Sequence, residues 1–165
     1  MTADLPFSQA CENNKAPILS VLSRVFADCH TVLEVGSGTG QHATFFAQCL
    51  PQLYWLPTDT AANLPVLAPR CANYPGDNLG PASVLDVRER PWAVQPVDAV
   101  FTANTLHIMS MEAVGDFFSG LATVLTADAR LAIYGPFNYG GRYTCASNAQ
   151  FDQWLAARDP QSAIR

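Results

Sequence analysis

Charge is what this sequence has least of. Only 14% of its 165 residues are Asp, Glu, Lys or Arg, against roughly 25% in an average soluble domain. Nine basic residues stand against fourteen acidic ones, a net charge of −5, and no segment carries a basic stripe. A nucleic-acid partner, whose grip depends on neutralising phosphates, is therefore not expected. Lys15 is the single lysine, so neither Schiff-base chemistry nor a Gly-x-x-x-x-Gly-Lys phosphate loop has its lysine in place. No apolar run approaches the ~20 residues that span a membrane. Met1–Lys15 is polar, carries Asp4 and Glu12, and lacks the blocks of a signal peptide. The five cysteines (Cys11, Cys29, Cys49, Cys71, Cys145) never fall at Cys-x-x-Cys spacing, so no metal site or redox pair is expected. A cytoplasmic protein without a membrane partner is the expectation.

What is present is a core. Hydrophobic residues make up 49% of the chain, too many for a disordered segment, and the length suits about one domain. Strand and helix signals alternate. A helix is expected from near Ala16, with Pro17 in its first turn and a stripe of Ile18, Leu19, Val21, Leu22, Val25 and Phe26. Thr31–Val35 reads as a buried strand, Gly36–Gly40 as a turn, and Gln41–Leu50 as a helix stopped by Pro51. Leu53–Thr58 is a second strand, and Ala61–Ala72 a helix shortened by Pro65 and Pro69. Ala82–Asp86 and Val97–Ala103 follow as strands. Ser110 caps a helix whose stripe is Met111, Val114, Phe117, Phe118, Leu121 and Leu125. Arg130–Gly135 is a fifth strand. A capping box of Ser147 and Gln150 opens a last helix burying Phe151, Trp154 and Leu155. The alternation predicts an α/β three-layer sandwich with a parallel sheet in the order 3-2-1-4-5, binding its ligand at the carboxyl ends of the strands.

The sharpest local signal is Val32-Leu-Glu-Val-Gly-Ser-Gly-Thr-Gly-Gln-His42, a glycine loop with a strand before it and a helix after it. Gln41 occupies the position where the dinucleotide fingerprint Gly-x-Gly-x-x-Gly needs glycine, which disfavours an NAD-dependent oxidoreductase. Glu34, Gly36, Gly38 and Gly40, with Ser37 between the first two glycines, fit the S-adenosylmethionine (SAM) loop instead. Asp59 follows Gly36 by 23 positions, placed to accept from two ribose hydroxyls. Asp86 can accept from the adenine amino group while the Val87 amide donates to the ring; its plainer role is an aspartate that forms a turn after a strand.

With these residues in place, the chain resembles class I SAM-dependent methyltransferases, and more closely the methyltransferase-like protein 26 family and its bacterial relatives. The resemblance runs through Asn14-Lys-x-Pro-Ile-Leu19, Val32-Leu-Glu-Val, Gly38-x-Gly-Gln-His42, Leu85-Asp-Val87, the Asn104 segment, Tyr134-Gly-Pro136 and Ser147-Asn-x-x-Phe-Asp152. It implies a Rossmann-like fold, one SAM-binding domain over residues 1–165 (1–30 an N-terminal lid or helix, 31–165 the core), and SAM as cofactor with S-adenosylhomocysteine as product. It also implies further strands beyond Arg165. Without them the fifth strand would offer an unpaired edge, suited to a homodimer.

The fourth strand leads to Asn104-Thr-Leu-His107, similar to the Asn-x-Leu-His pattern of many small-molecule methyltransferases. Asn104 is expected at both cofactor and acceptor. His107 is either a general base or an orienting, partly buried histidine. His42 reads as structural, and His30 as exposed. Phe137, Asn138, Tyr139, Arg142 and Tyr143 form either an aromatic wall for a small-molecule substrate or a surface turn. The resemblance places Asn14 and Lys15 near the cofactor mouth, as part of that pocket, whereas the sequence alone reads Lys15 as solvated. The expected activity is methyl transfer to a small molecule; the alternative is a non-catalytic SAM- or nucleotide-binding protein.

Overall fold

A computed structural model describes residues 5–165. Three of the five residues in Thr31–Val35 are β-branched, and this run is β1, the central strand of a five-stranded parallel sheet. The elements in chain order are α1 (Gln9–Val25), β1, α2 (Gln41–Cys49), β2 (Tyr54–Asp59), α3 (Leu64–Ala72), β3 (Ser83–Val84) and β4 (Val97–Ala103). A 3-10 turn at Leu106–Ile108 precedes α4 (Met111–Val124) and β5 (Leu125–Tyr134). A hairpin of β6 (Asn138–Tyr139) and β7 (Arg142–Tyr143) leads to α5 (Ala146–Arg158). The sheet order is β3-β2-β1-β4-β5, as the alternation predicts. Leu33 pairs with Leu56 on one side and Val100 on the other.

Alternate residues of the central strands feed two cores. Val32 and Phe101 meet Ile18, Leu22, Phe26 and Phe46 of α1 and α2. Leu33, Val35 and Val100 meet Phe117, Leu121 and Val124 of α4 on the other face. Because β1 is flanked by β2 and β4, the chain reverses direction across the sheet there, and a crevice opens at the carboxyl ends of β1 and β4.

Several boundaries differ from expectation, each for a local reason. α1 starts at Gln9 rather than near Ala16, because Ser8 caps it and accepts from the Cys11 amide. Pro17 is therefore interior; it forfeits the bond to the Asn13 carbonyl, on a face where both residues are exposed. The buried stripe of α1 narrows to Ile18, Leu22 and Phe26, with Val21 and Val25 exposed. β3 shrinks to two residues because Asp86 turns the chain, accepting from the Arg88 amide at 3.0 Å. β5 begins at Leu125, which pairs with Val97 ahead of a register shift; the regular ladder runs from Arg130. On α4, Met111 and Phe118 face solvent. The Ser147–Gln150 capping box does not form, since α5 already starts at Ala146 after Cys145. Its only fully buried residue is Leu155, leaving Trp154 53% exposed.

No helix among the described residues is long and apolar enough to cross a membrane.

Candidate active site

The loop after β1 is fixed to β2 through its backbone. The amides of Gly36 and Ser37 both donate to the Thr58 carbonyl, at 3.0 and 2.9 Å, and Ser37 Oγ accepts from the Thr58 amide. Gly36, Gly38 and Gly40 all adopt left-handed φ, between 57° and 77°, which side chains resist. At Gly36 space forbids a side chain as well, because a Cβ would lie 2.8 Å from the Thr105 side chain. At Gly38 nothing stands in front of the backbone, which lies bare to the cleft. That cleft has a volume of about 690 Å³ and is walled by residues 36–39, Asp59, residues 85–88 and Asn104. Such dimensions suit a nucleotide-sized ligand.

Two of the cleft carboxylates, Asp59 and Asp86, are oriented by bonds within the protein. Asp59 Oδ2 accepts from the Gly38 amide at 2.7 Å and from Asn63 Nδ2 at 2.9 Å, while Oδ1 accepts from the Thr60 amide. A carboxylate has about four acceptor positions, so one remains on Oδ1. Asp86 Oδ1 accepts from the amide and Nε of Arg88, and Oδ2 from its terminal nitrogen at 2.6 Å. One position on Oδ2 stays open. The two readings of Asp86 are thus compatible: it forms the turn and still offers an acceptor.

Two of the residues expected at the cofactor lie outside the cleft wall. Glu34 is fully buried beneath the loop, accepting from Trp55 Nε1 at 2.7 Å. Burial pushes its carboxyl up to about 7, against the lowering effect of Trp55 and Ser37. Gly40 caps α2, and a Cβ there would sit 3.0 Å from Leu67; its work is packing.

Gln41 and His42 join α1 to the glycine loop. Gln41 Oε1 accepts from the Ser8 amide at 2.6 Å, and its Nε2 donates to Glu12. His42 Nε2 lies 2.7 Å from Asn14 Oδ1. Burial lowers the His42 pKa to about 4, leaving a neutral ring as donor to Asn14. Arg70 adds bonds to the Thr39 and Pro6 carbonyls. The Asn14 and Gly-Gln-His42 motifs, apart in sequence, are therefore one clasp, and it brings Ser8 and Cys11 to the cleft wall. Asn14 and Lys15 stand away from the loop after β5. Lys15 pairs with Glu12 and lies over the Phe45 ring, in a separate groove.

A second cavity of about 430 Å³ lies after β5, between Tyr134–Phe137, Tyr139, Thr144, Asn148 and Phe151. Asn104 borders both cavities. It holds a left-handed φ of 56°, tolerated by Asn better than by most residues, while its amide donates to the Tyr134 carbonyl. Phe137 and Tyr139 line this cavity; Asn138 instead ties the hairpin to the Ile164 and Arg165 carbonyls. Arg142 and Tyr143 form the exposed outer strand, and Tyr143 donates to Asp152. His107 is buried behind Asn104, edge-on to Phe151 at 5.2 Å, and lines neither cavity. Burial, then the Arg165 charge, lower its pKa. His30 is exposed and bonded to Asp98.

Sequence reasoning missed Arg88, Ile108, Met109, Asp159 and Gln161, all on the cleft wall. The last two arrive from a strap that the chain lays over the loop after β4, where Ala163 donates to the His107 carbonyl and Ser162 to that of Ile108. No local motif marks such a contact. Among the described residues no cluster of His, Cys, Asp or Glu could hold a metal.

Solved structures share this architecture. An O-methyltransferase family protein from Burkholderia thailandensis aligns with a TM-score of 0.79 at 18% identity, over 94% of this chain and 48% of its own. Human N-acetylserotonin methyltransferase in complex with SAM aligns at 0.76 and 10% identity, over 95% and 43%. PigF with S-adenosylhomocysteine aligns at 0.74 and 16%, over 94% and 52%. The chain thus spans about half the length of these proteins, and the fold it shares with them is that of class I methyltransferases. By sequence, a family model described as Protein of unknown function (DUF938) matches residues 5–165, and the chain belongs to that family.

Proposed function

We propose that the cleft binds SAM and that the chain takes part in methyl transfer to a small-molecule acceptor admitted from the cavity after β5. The observation that carries this reading is the bordering of two cavities at Asn104: a cleft with bare glycine backbone and two carboxylates that each keep one open acceptor position, and an aromatic pocket. The open acceptor positions on Asp59 and Asp86 match a ribose hydroxyl and an adenine amino group, both donors. The resemblance to the methyltransferase-like protein 26 family points the same way. When bound, SAM supplies an electrophilic methyl group on a sulfonium.

The protein's own contribution is alignment. Asn104, held by Tyr134 at the seam, orients the acceptor through its carboxamide, and Phe137, Tyr139 and Phe151 fix the plane of an uncharged, flat molecule. Proximity of this kind supplies most of the rate when the electrophile is already activated. His107, buried off both walls, supports Asn104 and Phe151 rather than removing a proton. α1 with its clasp acts as the lid of the cofactor end. Mass spectrometry of gently purified full-length protein should detect SAM or S-adenosylhomocysteine. Incubation with methyl-labelled SAM and a panel of flat neutral acceptors should then give labelled product. Retained cofactor with no product from a broad panel would leave a SAM-binding protein without turnover.

A further inference from the structure

Arg88 is exposed, and its guanidinium is engaged by a neighbouring carboxylate. Nε and a terminal nitrogen form a two-point fork on Asp86, at 2.9 and 2.6 Å, and the Arg88 amide adds a third bond at 3.0 Å. The other charges near it are Glu89 and Asp116, and Asp116 is paired with Arg90. A fork of this type fixes the carboxylate in the guanidinium plane, which a single ammonium does not do. Both residues line the cleft. The fork determines which acceptor position of Asp86 stays available, the remaining one on Oδ2.

We propose that Arg88 is a specificity-determining residue for the base: by locking Asp86 through the fork, it presents one oriented carboxylate lone pair that accepts a 6-amino purine and rejects a 6-oxo purine. The inference rests on the reading that the base end of the cofactor lies at Asp86. A 6-amino group donates to that lone pair. A 6-oxo group sets an acceptor against an anion, leaving that one lone pair without a donor. Without the fork the carboxylate can rotate or take up a proton, and either relaxes the discrimination. The pKa of Asp86, lowered first of all by its bond to Arg88, agrees with this role.

The test is calorimetric titration of the full-length protein with S-adenosylhomocysteine and with S-inosylhomocysteine, for wild type, Arg88→Ala and Arg88→Lys. Wild type should prefer the adenine ligand. Arg88→Ala should weaken it roughly tenfold, the loss of one oriented charged hydrogen bond, and shrink the preference. Its affinity should also fall on acidification at a higher pH than that of wild type. Arg88→Lys should restore the pH profile but not the full preference, since charge returns without the fork. Because the side chain is exposed, thermal melting should show all three proteins folded alike. If wild type discriminates and Arg88→Ala does so equally at unchanged affinity, the inference is overturned. If wild type binds both ligands equally, Asp86 does not read the base. If wild type binds neither, the cofactor reading itself falls.

Discussion

The two sides of β1 are built differently. On the β2–β3 side the loop after β1 is bonded to Thr58 and Asp59, the carboxylates are oriented, and Trp55 is buried with its indole N–H on Glu34. On the β4–β5 side the pocket walls are open to solvent: Tyr139 is 69% exposed and Tyr134 41%. The difference teaches where preorganisation is spent. The glycine-loop side is a cradle whose polar groups are mostly bonded within the protein, while the side after β5 is an aromatic surface with few internal bonds to hold it.

Truncating one tryptophan on each side measures that contrast most strongly. Trp55→Ala should cost about 3–5 kcal/mol in denaturant unfolding, as large aromatic deletions in a core do, and would also strip Glu34 of its donor. Trp154→Ala, which loses only a stacked contact with Phe151 and one with Arg158, should cost under ~1 kcal/mol. Equal costs would erase the distinction.

Acidity separates the layers on the glycine-loop side. Glu34, raised from 4.5 to about 7, favours folding fully below pH 4.5 and loses that contribution as pH rises through 7. His42, lowered from 6.5 to about 4, contributes above pH 6.5 and loses it as pH falls through 4. Each is worth about 3 kcal/mol at 1.36 kcal/mol per unit, so the two slopes oppose one another. Stability of Glu34→Gln should therefore rise from pH 4 to 6.5, and that of His42→Asn should fall from pH 4.5 to 7. Denaturation series at several pH values would show this; parallel profiles for the two variants would refute the assignment.

How much of this could be read beforehand follows the same divide. β1 and β4 match the expected Thr31–Val35 and Val97–Ala103 because β-branched, apolar runs in the centre of a sheet have no competing conformation. The glycine loop and the aspartates were legible for a similar reason: their spacing is local to one strand–turn–helix unit. Glu34 was legible as part of the loop but not as a residue turned beneath it, since strand alternation alone does not say which face carries Trp55. Gln41 looked like a mere departure from another fingerprint; its bonds to Ser8 and Glu12 span about 30 positions and leave no periodic trace. The strap over His107 leaves no trace for the same reason, whereas the β6–β7 hairpin turns locally on Gly140 and Gly141 and escapes notice because its strands are two residues long.

His107→Ala sharpens the acceptor side and carries the smallest effect expected on rate. With the imidazole behind the walls, turnover on any acceptor found should drop less than tenfold with an unchanged pH profile. A general base would account for roughly 10²–10⁴ and leave a pH dependence that the variant loses.

The central claim, that the cradle after β1 binds SAM through Asp59, is most directly tested by calorimetric titration of S-adenosylhomocysteine into wild type, Asp59→Ala and Phe137→Ala. The account predicts saturable binding by wild type, a loss of roughly ten- to a hundredfold for Asp59→Ala, and little change for Phe137→Ala on the other side. Absence of binding by wild type, or tighter binding of NAD than of S-adenosylhomocysteine, would contradict it.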